Sequence, residues 1–194
     1  MYVRDAKNRD EVWLLDRIEE IGLDDVAFRS RDYVIAVDEE TNERVGFGRI
    51  RIHKGDDGEC CELTSVGVLE AWRRQGVGAH VIERLVDEAG DQEFATVYAL
   101  TDQPGYCAQF GFEPLDTEDL PAKLRGRLVE LRESTSPEAV AVSVASDAFE
   151  MPPRLREAFK HAAPADEGET EPAESPEDFG IDPESATYKY DTGR

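Results

Sequence analysis

Lysine is nearly missing from this chain, which carries 5 Lys among 194 residues against 17 Arg and 44 Asp plus Glu. The resulting formal net charge of -22 repels polyanions, which argues against direct nucleic-acid binding. Also missing is any run of about 20 apolar residues, the length a membrane-spanning helix needs. The opening stretch MYVRDAKNRD lacks the apolar core of an export signal. The three cysteines, Cys60, Cys61 and Cys107, are an odd number without metal-ligand spacing, so neither a disulfide framework nor a bound metal is expected. His53, His80 and His161 show no partnered arrangement and read as surface or packing residues. These absences describe a cytoplasmic protein that needs no metal and binds no membrane.

What is abundant is acid, spread along the whole chain rather than held in one block. High salt shortens the Debye length to about 3 Å at 1 M and so screens the self-repulsion of such a chain. The composition therefore fits a halophilic, salt-rich cytoplasm, with an ordinary acidic protein as the alternative. From residue 163 onward there are ten acidic residues, two basic ones and few large apolar groups. Such a segment cannot bury enough surface to offset its ordering entropy, so residues 163–194 read as an acidic, disordered tail behind one domain at residues 1–162.

Within that domain strand and helix signals alternate. Residues 1–4, 33–37, 45–52, 60–68, 95–100, 112–115 and 139–145 have the β-branched, alternating character of strands, and the polar DEETNE and GDDGE stretches make hairpins of the second, third and fourth. Residues 9–21 read as a helix with Val12, Leu15, Ile18 and Ile21 near one face. Val77, Val81, Leu85 and Ala89 recur every four residues, the stripe of a helix lying on a sheet. Residues 105–110 and 120–132 complete the helices.

Chemistry concentrates where the strand at 60–68 meets the striped helix, in ELTSVGVLEAWRRQGVGAHVIERL. Gly76 and Gly78 stand just before an amphipathic helix, so several backbone N–H groups can converge with no Cβ in the way. The helix N-terminus adds partial positive charge, and Arg73 and Arg74 add more. A phosphate-bearing ligand fits such a cradle. A P-loop would need Lys followed by Ser or Thr, and a dinucleotide fingerprint a third glycine; neither is present.

The spacing Arg73, Gly76, Gly78 resembles the signature of the GNAT acyltransferases: arginine or glutamine, two residues, glycine, one residue, then glycine or alanine. The preceding CELTSVGV is similar to that family's core strand, and GYCAQFGF at 105–112 to its later aromatic block. The resemblance covers roughly residues 1–150. It implies an α+β fold, a mixed, mostly antiparallel bent sheet with flanking helices, splayed open beside the core strand to take acetyl-CoA as co-substrate. Backbone groups of Val66, Gly67 and Val68 would then pair with the pantetheine arm as an added strand does. Arg73, Arg74, Gln75, Gly76, Val77, Gly78 and Ala79 would wrap the pyrophosphate.

The implied reaction moves the acetyl group to a primary amine by direct attack. A lysine-like amine is protonated at neutral pH and must lose its proton to become a nucleophile. Glu62, four residues before Val66, matches the glutamate that serves as general base in histone-type members of the family; an ion pair at the start of the strand is its alternative role. Burial beside an apolar strand would raise its basicity. Many members place a tyrosine, the acid that protonates the departing thiolate, where this chain has Cys107, and Tyr106 stands one residue earlier. Tyr106 and Cys107 are both carried as candidates, Cys107 also as a small core residue. The stretch TVYALTDQPGYCAQFGFEPLDTEDLP is similar to acetyltransferase domains acting on amino acids such as glutamate. A small amine or amino acid, a protein amine, and a non-catalytic acyl-CoA-binding module all remain open, as does a homodimer.

Overall fold

In the computed structural model, which describes residues 1–23, 26–56 and 58–165, the alternating signals become a single mixed sheet. Its strands are β1 (Tyr2–Asp5), β2 (Tyr33–Val37), β3 (Arg44–Gly55), β4 (Gly58–Val68), β5 (Thr96–Thr101), β6 (Glu113–Pro114) and β7 (Val140–Ala145), in the spatial order β1-β2-β3-β4-β5-β7-β6. Every neighbouring pair is antiparallel except β4 and β5, which run parallel. A parallel pair requires a crossover, and α2 (Val77–Asp91) supplies it. Most of the expected tail, from residue 166 on, lies outside the described residues.

Side chains alternate across the strands, so the sheet has two different faces. On one, Ile50, Cys61, Leu63, Val97 and Ala99 meet α2, whose stripe Val77, Val81, Leu85 and Ala89 is buried as its spacing predicts. Truncating Leu85 to Ala would cost about 3 kcal/mol, since a packed core collapses only in part around a cavity. The opposite face is shared. α1 (Glu11–Ile21) covers β2 and β3, and α4 (Ala122–Ser134) places Leu124 and Leu128 on Cys60, Ala139 and Ala141.

The buried stripe of α1 differs from the expected one. Ile18 is buried and Ile21 packs beside it as expected, but Val12 is 70% exposed and Leu15 also faces out, and Leu14 joins Ile18 against Tyr33, Ile35 and Phe47. Four-residue spacing from Leu14 fits a helical face as well as the three-residue series does, and packing against β2 and β3 selects it. β6 shrinks to two residues and includes Pro114, which has no N–H to donate. One element went unread: α5 (Pro153–Lys160), with Pro153 in its first turn and Leu155 and Phe159 buried one turn apart.

Asp10 ties the first three layers of chain together. Its carboxylate accepts hydrogen bonds from Arg4 at 2.8 and 3.1 Å, from Arg44 at 3.2 Å and from the Lys7 backbone at 2.8 Å. The Arg4 hydrogen bond is the main reason its carboxyl is held down at about 2, assisted by the Lys7 N–H and by Arg44. No helix of the described residues is long and apolar enough to cross a membrane.

Candidate active site

The site begins as a fault in the sheet. Phe47 of β3 pairs with Gly67 and Arg49 with Thr64, so two steps on β3 face three on β4, and the extra residue is a bulge. Ser65 within it holds φ of 52°, a left-handed conformation that L side chains seldom adopt. On its other edge β4 pairs with β5 only from Cys61–Val97 to Leu63–Ala99, although the two strands run on to Val68 and Thr101. The strands part there. A cleft of about 450 Å³ opens between them, lined by Glu62, Thr64, Val66, Thr101, Tyr106 and Cys107 among others.

The polarity of this edge follows from the ladder. Leu69 N–H donates to Val45 O at 2.9 Å, so in an alternating antiparallel pairing Gly67 also faces β3 and the backbone groups of Val66 and Val68 face the cleft. The Val68 carbonyl accepts from Arg73 Nε at 3.1 Å, which anchors one cradle arginine to the strand.

Beyond Val68 the chain turns into the α2 cradle. Gly76 is the N-cap, at φ 78° and ψ 0°, and no side chain caps the helix. The N–H groups of Val77, Gly78 and Ala79 precede the first intrahelical hydrogen bond, from His80 N–H to Gly76 O at 3.1 Å, and are left to an external acceptor. Val77 and Ala79 have buried side chains, so each offers only its backbone. A Cβ on Gly78 would lie 3.2 Å from the Tyr106 hydroxyl, which places that tyrosine over the open side of the cradle. The cradle therefore fits a diphosphate by the donors it leaves unsatisfied and by its missing side chains.

Two cradle residues do something the sequence did not show. A Cβ on Gly76 would sit 2.3 Å from the Leu155 carbonyl, so this glycine makes room for α5 as well as for a left-handed turn. The Gln75 amide donates to Ala163 O at 2.8 Å and accepts from Ala163 N–H at 2.9 Å, clasping the chain just past α5. Nearby, the His80 ring stacks on Phe159 with 3.8 Å between centroids, and burial pushes its pKa down.

Glu62 lies at the inner end of the cleft, 1% exposed. Its Oε2 is 2.7 Å from His53 Nε2, and both oxygens accept from Arg127 Nε at 2.9 Å. Its surroundings are thus ion-pair donors rather than the apolar strand alone. The reading of His53 as an unpartnered residue is corrected here. The β3–β4 register sets Arg51 directly opposite Glu62 and His53 opposite Cys60, on one face of the sheet, and the GDDGE stretch in the sequence was the signal that could have shown it. Arg127, 65 residues away on α4, left no such signal.

Desolvation, with Cys107 as a lesser neighbour, pushes the Tyr106 hydroxyl up to about 12, so it is a proton donor at neutral pH. Cys107 is buried, and burial pushes its thiol up against the opposing effect of a hydrogen bond with Thr101. Such a thiol stays protonated and packs; it does not act as a nucleophile without a base.

The model of the Acetyltransferase (GNAT) family matches residues 3–112. Among solved structures, Rv2747 from Mycobacterium tuberculosis in complex with CoA and NLQ is 17% identical with a TM-score of 0.60, over 75% of this chain and 99% of that one. N-acetylglutamate synthase from Neisseria gonorrhoeae, complexed with coenzyme A and N-acetyl-glutamate, is 17% identical with a TM-score of 0.59, over 74% of this chain but 34% of the synthase. Aminoglycoside 6'-acetyltransferase type Ii is 18% identical with a TM-score of 0.53, over 78% of this chain and all of that enzyme. At these identities the likeness is one of fold.

Proposed function

Because the chain belongs to the acetyltransferase (GNAT) family, whose model spans more than half of it, we propose that it transfers the acetyl group of acetyl-CoA to a primary amine in a ternary complex. The observation that carries this reading is the early end of the β4–β5 pairing at Leu63–Ala99, with the uncapped start of α2 behind it. Val66 and Val68 offer backbone groups to the pantetheine arm, and the N–H groups of Val77, Gly78 and Ala79 receive the pyrophosphate, with Arg73 and Arg74 beside them. Gln75 and the side of Gly76 facing α5 brace the cradle. Acetyl-CoA supplies the activated thioester.

Glu62 takes the ammonium proton, directly or through one water. As the new C–N bond forms the C–S bond breaks, the departing sulfur takes a proton from Tyr106, and the second proton shed by the acylated nitrogen restores the tyrosine hydroxyl. A proton arriving on Glu62 displaces one of its present hydrogen bonds, and His53 on Oε2 is the next acceptor along the path. That relay uses the tautomer in which Nδ1 carries the ring hydrogen and the Nε2 lone pair faces Glu62 Oε2. Cys107 contributes packing beside Tyr106.

A second reading, an acyl-CoA-binding regulatory module without turnover, draws on the fact that both Glu62 oxygens are already engaged. Release of free CoA thiol from acetyl-CoA, measured against a panel of amines in high salt, separates the two. Thiol release that depends on an amine supports transfer, and acetyl-CoA binding with no release for any amine supports the module. High salt is chosen because the chain's charge suits a salt-rich cytoplasm.

A further inference from the structure

Arg49 of β3 puts a charge into the core. Its side chain is 1% exposed, and among the described residues it has no carboxylate partner and its Nε makes no hydrogen bond. The guanidinium is held instead by two backbone carbonyls, Val26 O at 2.9 Å and Ala27 O at 3.4 Å, and lies 5.3 Å over the Tyr33 ring. A buried charge is costly unless it is well paired, and an apolar side chain of similar volume would fill the same space more cheaply. What the arginine adds is a hold on the backbone of residues 26 and 27.

That backbone has reason to be held. Ala27 sits at φ 53°, a left-handed conformation that an L-residue adopts only at a cost. Both Val26 and Ala27 are exposed, so side-chain packing does little to fix them. Phe28 next to them packs on Tyr33 with 5.5 Å between ring centroids. The same stretch borders the acceptor end of the site. Ile21 and Leu23 line the cleft that contains Glu62. Val26 lines an adjoining cavity of about 500 Å³ together with His53 and Arg127, and Ala27 lines another of about 620 Å³ that also reaches His53. His53 and Arg127 both hydrogen-bond the Glu62 carboxylate. Arg49 in turn pairs with Thr64 at the bulge in β4, and Thr64 lines the cleft.

Resting on the acetyltransferase reading, we propose that Arg49 is a positioning residue for the acceptor: by holding the Val26 and Ala27 carbonyls it fixes the wall against which the amine is brought to Glu62. It acts through residues 26 and 27 rather than by touching a substrate. Its hydrogen bonds reach neither the start of α2 nor the parted edge of β4, so its loss falls on the acceptor and spares acetyl-CoA. Because the two carbonyls belong to exposed residues, water takes over their hydrogen bonds when the guanidinium is removed, and the fold survives.

The test uses the full chain at saturating acetyl-CoA, with thiol release measured for L-glutamate, tetra-alanine and 1,4-diaminobutane and steady-state constants taken on whichever amine is acetylated fastest. Arg49→Met keeps the bulk of the side chain and lets go of both carbonyls. Ala27→Pro, an exposed change, leaves Arg49 in place but excludes the left-handed φ, and it carries the test should Arg49→Met fail to fold. Each variant should raise KM for the amine by about tenfold or more, the scale on which misplacement of a substrate acts, while kcat, acetyl-CoA affinity and melting temperature stay near wild type. Arg49→Lys, which keeps the charge and can reach one carbonyl, should fall between. Trypsin cleavage after Arg29 should quicken in Arg49→Met and Ala27→Pro as residues 26–28 loosen. An unchanged amine KM in both variants overturns the proposal, and so does a fall in acetyl-CoA affinity and melting temperature in step with activity, which would make Arg49 a core residue and nothing more. Absence of amine-dependent release from the wild-type protein would instead refute transfer itself, and the proposal that rests on it.

Discussion

The two ends of the cleft are built from different materials. At the cradle end the chain offers backbone: N–H groups of Val77, Gly78 and Ala79, strand groups of Val66 and Val68, and glycines that keep side chains away. At the acceptor end it offers long side chains, with Glu62, His53, Arg51 and Arg127 meeting from two strands and a helix. A backbone site depends on consecutive residues, and so it is written locally. A side-chain site depends on register and tertiary packing.

That difference predicts where substitutions act. Glu62→Gln should lower kcat by about 10² to 10⁴-fold near neutral pH, the usual worth of general-base catalysis, while acetyl-CoA affinity stays near wild type. Steady-state kinetics beside an acetyl-CoA titration check it, and a joint loss of both would erase the distinction between the two ends. The defect should shrink at high pH, where the amine loses its proton unaided.

Gly76→Val should act in the opposite way, through the fold. The residue would need φ of 78° and would press its Cβ on the Leu155 carbonyl. We expect roughly 3 kcal/mol of lost stability, from left-handed strain plus the clash, with undocking of α5 and loss of acetyl-CoA binding. Chemical denaturation gives the stability and protease nicking near residues 150–163 the undocking. A variant that loses binding with full stability would assign Gly76 to the ligand alone.

Asp10 belongs to neither end and serves as the reference. Its folded-state carboxyl is held near 2 against an ordinary 3.8, so its contribution is complete above about pH 4 and is lost as pH falls through about 2. Asp10→Asn should remove about 2 kcal/mol at neutral pH and flatten the stability profile between pH 4 and 2, without changing kcat. Gln75→Ala is the smallest change, about 1 kcal/mol, because it removes the clasp on Ala163 and leaves every cradle N–H in place. A large loss of acetyl-CoA affinity there would mean that α5 braces the cradle more tightly than its packing suggests.

The same contrast explains what could be read in advance. Gly76 and Gly78 before the stripe Val77, Val81, Leu85 and Ala89 announced both the crossover helix and the glycine turn that starts it, because period and turn lie within fifteen residues. Glu62 was legible by its position on the core strand, but its partners were not. His53 required the hairpin register, and Arg127 required α4 to fold back on the far face of the sheet. Of the expected α1 stripe Ile18 and Ile21 do pack inward, while Val12 and Leu15 face out and Leu14 takes the buried place, because two apolar series overlap in EVWLLDRIEEI and only contact with β2 and β3 chooses between them. α5 was missed because eight residues with two apolar anchors give too little periodicity to stand out.

Hydrogen exchange on the full chain, with and without saturating acetyl-CoA, tests the central claim most directly: that the parted β4 edge and the start of α2 hold the co-substrate through their backbone. The account predicts slowed exchange at the amides of Val66, Val68, Val77, Gly78 and Ala79, with little change on β1 and β2. Tight binding that leaves those five amides unprotected, or protects a different surface, would contradict it.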